Sequence, residues 1–91
     1  MKVIWSTPAE EDLDSIVTYL AAQSVVSALR LQDRLIAAAA DLASLSARGR
    51  PGRITGTRER VLSGTPYILV YEVDGGLVSI LHVMHGARNW P

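Results

Sequence analysis

The chain contains no cysteine, which excludes disulfide bonds, thiolate nucleophiles and zinc–thiolate sites. It has no apolar run near the roughly 20 residues that span a bilayer, and its start lacks the charged and then apolar pattern of a signal peptide. We therefore expect a cytoplasmic protein without membrane contacts. Its net charge is zero, whereas a strong sequence-independent nucleic-acid binder normally carries a clear positive charge.

Apolar residues make up 48% of the 91 residues, which indicates a folded chain. The length predicts one domain over residues 1–91. A domain of this size buries only roughly 60–65% of its unfolded surface, so a binding partner could contribute much of its stability. The charges are uneven, because residues 1–47 hold three basic and six acidic residues, whereas residues 48–91 hold six arginines and three acidic residues.

Two helices are predicted in the acidic half. Thr7 as N-cap, followed by Pro8, predicts a helix over about residues 8–22, with a buried face at Leu13, Ile16, Val17 and Leu20. Ser24 predicts the start of a second helix. Its apolar positions recur in steps of three and four, at Ala28, Leu31, Leu35, Ala38, Leu42 and Leu45.

Four strands are predicted, over about residues 2–5, 58–62, 67–73 and 77–84. Asp74-Gly75-Gly76 supplies the tight turn between the last two strands. The order of elements predicts an α+β fold, β-α-α-β-β-β, in which a helical hairpin packs on one face of a small, mainly antiparallel sheet. The other face would then be free to bind a partner.

Few side chains form a recognisable chemical site. His82 and His85 are three apart on a predicted strand, so their imidazoles should lie on opposite faces, and we expect neither a metal nor a cofactor. Arg58 and Arg60 share a face about 7 Å apart, a spacing that suits phosphate or carboxylate recognition but also fits a solvated strand. Trp90 either packs back on the domain or anchors a partner.

Four short segments follow one another along the chain in a characteristic order. They are Ile4-Trp5-Ser6, Ala9-Glu10-Glu11-Asp12-Leu13, Gly49-Arg50-Pro51-Gly52 and the closing His85-Gly86-Ala87-Arg88-Asn89-Trp90-Pro91. In this order they resemble the ParE/RelE superfamily of bacterial type II toxins. The resemblance implies the fold stated above and two possible activities. RelE-like members are ribosome-dependent ribonucleases that cleave mRNA, whereas ParE-like members inhibit DNA gyrase without evident hydrolysis.

The resemblance to the RelE-like pattern is incomplete at two positions. Ile68 stands where that pattern has an arginine, and Trp90 stands in place of a tail tyrosine. The ParE-like branch is therefore favoured, and the chain is expected to be a gyrase inhibitor rather than an enzyme. The residues expected to contact the target are Arg58, Arg60, His85, Arg88 and Trp90.

Two alternatives remain open. If the chain is an mRNA endoribonuclease that acts on the ribosome, the catalytic residues would be Arg58, Arg60, His85 and Arg88. The third possibility is a toxin-derived binding module with neither activity. Either active branch implies a cognate antitoxin in a hetero-oligomer, and the apolar stripe of the second helix predicts its binding residues, Leu31, Leu35 and Leu42.

Overall fold

The structure is a computed structural model that describes residues 1–87. It contains two helices and five strands, with a short 3₁₀ turn at Ser46–Arg48. In chain order these are β1 (Lys2–Trp5), α1 (Thr7–Ala21), α2 (Val25–Asp41), β2 (Arg50–Pro51), β3 (Arg58–Val61), β4 (Tyr67–Asp74) and β5 (Leu77–His85).

The five strands form one sheet in the order β1-β5-β4-β3-β2. β1 lies parallel to the first half of β5, with Trp5 opposite Ile80, and the other three pairs are antiparallel. The first strand of the chain therefore lies beside the last. This mixed sheet with two helices confirms the α+β fold expected from the sequence.

Two features of the sheet were missing from the sequence prediction. The short strand β2 adds a fifth strand, and its Pro51 is tolerated because β2 is at the edge of the sheet. A bulge shifts the pairing of β4 and β5, so that Val70 lies opposite His82 but Tyr71 lies opposite Ile80. The extra residue bends β5 where β1 ends and α1 begins.

The helix ends follow capping rules. Ser24 caps α2 by accepting a hydrogen bond from the backbone N–H of Ser27 (3.2 Å). The predicted cap of α1 has to be corrected, because Ser6 rather than Thr7 accepts from Ala9 N–H (3.1 Å). Ser6 is held there by tertiary contacts, since its N–H donates to the Ile80 carbonyl and its hydroxyl to the Leu81 carbonyl.

The main core lies between the helices and one face of the sheet. Leu35, Leu42, Leu69, Tyr71 and Ile80 are fully buried there. A smaller buried cluster on the other face contains Ile68, Val70 and Met84. Neither helix of the described chain, residues 1–87, is long and apolar enough to cross a membrane.

Candidate functional site

Arg58 and Arg60 share a face of β3, and it is the face that the helices cover. Their partners across the strand pair are Tyr71 and Leu69, which belong to the core under the helices, and directly opposite residues point to the same side of a sheet. The sequence prediction that the two arginines share a face is therefore correct. Their guanidinium groups do not project from the uncovered face.

Both guanidinium groups are hydrogen-bonded to backbone carbonyls, that of Arg60 at the end of α2 and that of Arg58 just after the 3₁₀ turn. Arg58 donates to the Gly49 carbonyl (2.9 Å). Arg60 donates to the Ala38 carbonyl and lies 3.5 Å from an Asp41 carboxylate oxygen. The last carbonyls of a helix have no partner within the helix and form the negative end of its dipole, so Arg60 stabilises the end of α2.

Glu59, between the two arginines, points to the opposite face and is buried. Its side chain is only 1% exposed. One carboxylate oxygen accepts from Arg50 (3.2 Å) and the other from the backbone N–H of Arg53 (3.0 Å). Glu59 therefore folds residues 50–53 back onto β3. The burial of Glu59 was not predicted, because no local sequence pattern distinguishes a buried glutamate in a strand from a solvated one.

Tyr71 fixes the turn that precedes these arginines. The ring is fully buried, and its hydroxyl donates to the Ser46 carbonyl (2.7 Å) and accepts from Gly49 N–H (2.8 Å). Gly49 is required by this close approach, because a Cβ atom there would lie 2.7 Å from Tyr71 Cε1 and closer still to the hydroxyl. Tyr71 therefore packs in the core through its ring and fixes the turn at residues 46–49 through its hydroxyl.

A groove of about 840 Å³ separates α1 from the second half of β5. Asp12 on α1 accepts from the backbone N–H of Val83 and contacts His82 Nδ1, both at 3.0 Å. His82 and His85 both border this groove, but they lie on opposite faces of β5, as the sequence predicted. The residue opposite His82 on β4 is Val70, in the smaller outer cluster, whereas the residue opposite His85 is Tyr67, which packs against the main core.

His85 lies at the open end of the groove. Its ring meets the edge of Tyr67 with a centroid distance of 5.6 Å. Its Nδ1 accepts from Ala87 N–H (3.2 Å), which leaves Nε2 as the protonated nitrogen of the neutral ring. Within residues 1–87, no three His, Asp or Glu side chains are grouped so that they could hold a metal ion.

Of the predicted target residues that the structure describes, Arg58 and Arg60 lie side by side on β3, whereas His85 lies apart from them. Arg60 and His85 are on β3 and β5, separated by β4, so their backbones are about 10 Å apart across the sheet. Ile68, at the position of the missing arginine, is buried on the opposite face from Arg60. Arg88 and Trp90 lie outside the described residues.

The predicted antitoxin residues Leu31, Leu35 and Leu42 are all buried in the core between α2 and the sheet, and their contact with an antitoxin stays a prediction. The apolar positions of α2 that are exposed are Val25, Val26, Leu29 and Ile36. Sequence periodicity found the apolar positions of α2 but did not separate the buried stripe from the exposed one.

The chain is similar to known proteins along nearly its whole length. Residues 3–90 match the family model described as ParE toxin of type II toxin-antitoxin system, parDE. The protein Y4kP of Sinorhizobium fredii is 40% identical over 90 residues, covering 99% of this chain and 93% of the relative. Toxin RelE2 of Caulobacter vibrioides is 37% identical over 87 residues, covering 96% and 97%.

A solved structure supports the fold independently. A chain of the chromosomal ParDE TA system from P. aeruginosa superimposes with a TM-score of 0.86 and covers 93% of this chain and 95% of that chain. Its sequence is 24% identical, so the likeness shows a common fold and carries no conclusion about the site.

Proposed function

Because the chain belongs to the ParE toxin family of type II toxin-antitoxin systems, we propose that it inhibits DNA gyrase through protein contacts and is neutralised by a cognate antitoxin. The observation that carries the gyrase proposal is the placement of Arg58 and Arg60. Cleavage of RNA at a 2′-hydroxyl needs cations around the reacting phosphate, beside a base and an acid. Here both guanidinium groups are bonded to backbone carbonyls instead.

The target surface that we propose includes His85, Arg88 and Trp90. Arg60 then acts mainly by holding β3 to the end of α2, and Arg58 by holding β3 to Gly49, just after the 3₁₀ turn. His85 supports this proposal because it is only partly buried and borders an open groove. Arg88 and Trp90 follow it closely in the sequence.

The ribosome-dependent ribonuclease remains the second candidate. It is favoured by the resemblance to the protein named toxin RelE2 and by the groove, where His82, His85, Asp12 and Tyr67 supply groups able to transfer protons. A cation at the phosphate would then have to come from Arg88 or from the ribosome.

The test measures gyrase supercoiling and trapped cleavage complexes with the purified protein, beside a translating-ribosome assay that maps mRNA ends. Gyrase inhibition with intact mRNA is the expected result. Cut mRNA with unaffected gyrase would overturn the proposal in favour of the nuclease, and no effect in either assay would favour an inactive binding module. His85→Ala should weaken gyrase inhibition, whereas Lys2→Ala should not, because Lys2 lies beside Leu77 at the opposite end of β5 from His85.

For the antitoxin, we propose a docking site on the exposed apolar stripe of α2. Val25, Leu29 and Ile36 fall within about 40° of one another on a helix with 100° per residue, and their residues are 60%, 49% and 46% exposed. An amphipathic partner helix would bury this stripe. Binding of the native state would also raise the melting temperature by mass action.

Leu29→Asp tests this site, with Ile54→Asp as the matched control on an exposed loop residue. We expect weaker antitoxin binding only for Leu29→Asp, measured by titration calorimetry with the antitoxin encoded beside this chain. Equal affinity of both variants would exclude the stripe as the docking site, and an unchanged melting temperature at saturating antitoxin would contradict the partnership itself.

A further inference from the structure

A second cleft, of about 360 Å³, opens beside the free end of β3. Its lining includes four arginines, Arg34, Arg48, Arg50 and Arg60, and one carboxylate, Glu59. The arginines come from α2, the 3₁₀ turn, β2 and β3, so they are distant in sequence and meet only in the fold. We call this site the arginine cleft.

The positive charge of the arginine cleft is only partly balanced. Glu59 bonds Arg50, which is still 54% exposed, and Asp41 pairs with Arg60. Arg48 has no side-chain hydrogen bond or ion pair within residues 1–87. A guanidinium group carries five N–H donors in a rigid fork that matches a carboxylate. Several of these donors therefore remain available to an anionic ligand.

The cleft also exposes a length of unpaired strand edge. β2 pairs only with Arg58 and Glu59, so within residues 1–87 the edge of β3 that faces away from β4 has no neighbouring strand beyond Glu59. Leu62 N–H donates to the Tyr67 carbonyl. Because hydrogen-bonded and non-hydrogen-bonded residue pairs alternate along two antiparallel strands, the N–H and C=O of the preceding residue, Val61, point away from β4. Val61 is 49% exposed, and its main-chain groups border the arginines.

We propose that the arginine cleft binds the carboxylate side chains of an acidic, extended segment of a partner protein. An extended peptide beside β3 can exchange main-chain hydrogen bonds with Val61 while its acidic side chains reach Arg48 and Arg50, which is the geometry of strand addition. The exposed stripe of α2 is a different surface, because Arg34 is about 140–180° around the helix from Val25, Leu29 and Ile36.

The charge distribution favours a peptide over a nucleic acid. Duplex DNA carries one charge per roughly 1.7 Å of helix axis and requires a long basic surface. The arginine cleft is short, and the chain as a whole carries as many acidic as basic residues. A few carboxylates on one peptide match its size and its charge.

The test measures binding of the full chain to a short synthetic peptide that alternates glutamate with valine, and to the same peptide with glutamine in place of glutamate. Arg48→Glu is the variant, because its side chain bonds nothing in the described structure. Lys2→Glu makes the same charge change on β1, at the opposite edge of the sheet. We expect Arg48→Glu to weaken binding of the acidic peptide at least about fivefold at low salt and Lys2→Glu to change it less than twofold. The difference should shrink near 1 M salt, where the Debye length is about 3 Å.

A second readout is the exchange of the Val61 amide with solvent, followed by NMR. It should slow when the acidic peptide binds, while the amide of Val3, on the far edge strand, should not change. Equal binding of the two peptides, equal loss in both variants, or an unaffected Val61 amide would overturn the proposal. A short DNA duplex that binds more tightly than the peptide and is lost in Arg48→Glu would assign the cleft to nucleic acid instead.

Discussion

Tyr71→Phe tests whether the buried hydroxyl holds the turn that presents the arginines. The substitution removes one oxygen from a fully buried ring and with it two hydrogen bonds, to the Ser46 carbonyl and the Gly49 N–H. Gly49 is itself buried, so its N–H loses its partner where water has little access.

The expected cost follows from these two bonds. A buried polar group without a partner costs about 1–3 kcal/mol, and the Ser46 carbonyl, in a half-buried residue, can regain a water. We therefore expect the free energy of unfolding to fall by about 2 kcal/mol. For a domain of this length each 1 kcal/mol shifts the melting temperature by roughly 4–8 °C, so a fall of about 8–16 °C should accompany it.

The assay is urea unfolding followed by circular dichroism, with Tyr67→Phe as the matched control. Tyr67 lies on the same strand, but within residues 1–87 its hydroxyl has no hydrogen bond, so its loss should cost under about 0.5 kcal/mol. Equal urea midpoints for the two variants would refute the reasoning. So would a Gly49 amide that exchanges with solvent as slowly in Tyr71→Phe as in the parent chain.

Three further changes test the same region. Gly49→Ala should destabilise the fold by about 1–3 kcal/mol, and it should cost less in a chain that also carries Tyr71→Phe, which lacks the hydroxyl oxygen nearest to the new Cβ atom. If the unfolding energies of the two single variants simply add up in the double variant, the close approach of residue 49 to Tyr71 would be contradicted. Glu59→Gln should lower the free energy of unfolding by about 1–2 kcal/mol, which is less than the loss of a fully buried ion pair costs, because both arginine partners are partly exposed. Trypsin should also cut after Arg53 several-fold faster, since Glu59 no longer holds residues 50–53 against β3. An unchanged cleavage rate would be inconsistent with this role of Glu59. Arg60→Ala should lower unfolding stability by about 1–2 kcal/mol and Asp41→Asn by under about 0.5 kcal/mol, and an unaffected Arg60→Ala midpoint would mean that Arg60 serves only binding.

The elements of the fold were predictable because their signals are local. Ser24 precedes an apolar stripe with helical spacing, and Asp74-Gly75-Gly76 separates two runs of strand residues, so both boundaries lay close to those of the structure. The cap of α1 was missed because Ser6 and Thr7 are both good caps. The choice between them depends on the contacts of Ser6 with β5, which the local sequence does not contain.

The site was harder to predict because β4 is buried on both faces. Ile68 and Val70 point to one side of the sheet and Leu69 and Tyr71 to the other. Alternation therefore established that two residues share a face but not which face the helices cover. The placement of Arg58 and Arg60 follows from that choice, and so does the burial of Glu59.

This placement changes how loss of toxicity in an arginine variant should be read. Arg60 holds β3 to the end of α2 and Arg58 holds it to Gly49, just after the 3₁₀ turn, and a domain of this length has little stability to lose. A variant of either residue can lose its toxicity for two reasons. The protein can unfold and be depleted, or it can remain folded and no longer contact its target. Arg48 lacks such a structural role within residues 1–87, so its variants report binding alone. Suppose that toxicity survives in Arg48→Glu but is lost in Arg60→Ala, and that the urea midpoint of Arg60→Ala is lowered as well. The arginine-rich half of the chain would then act mainly by stabilising the fold.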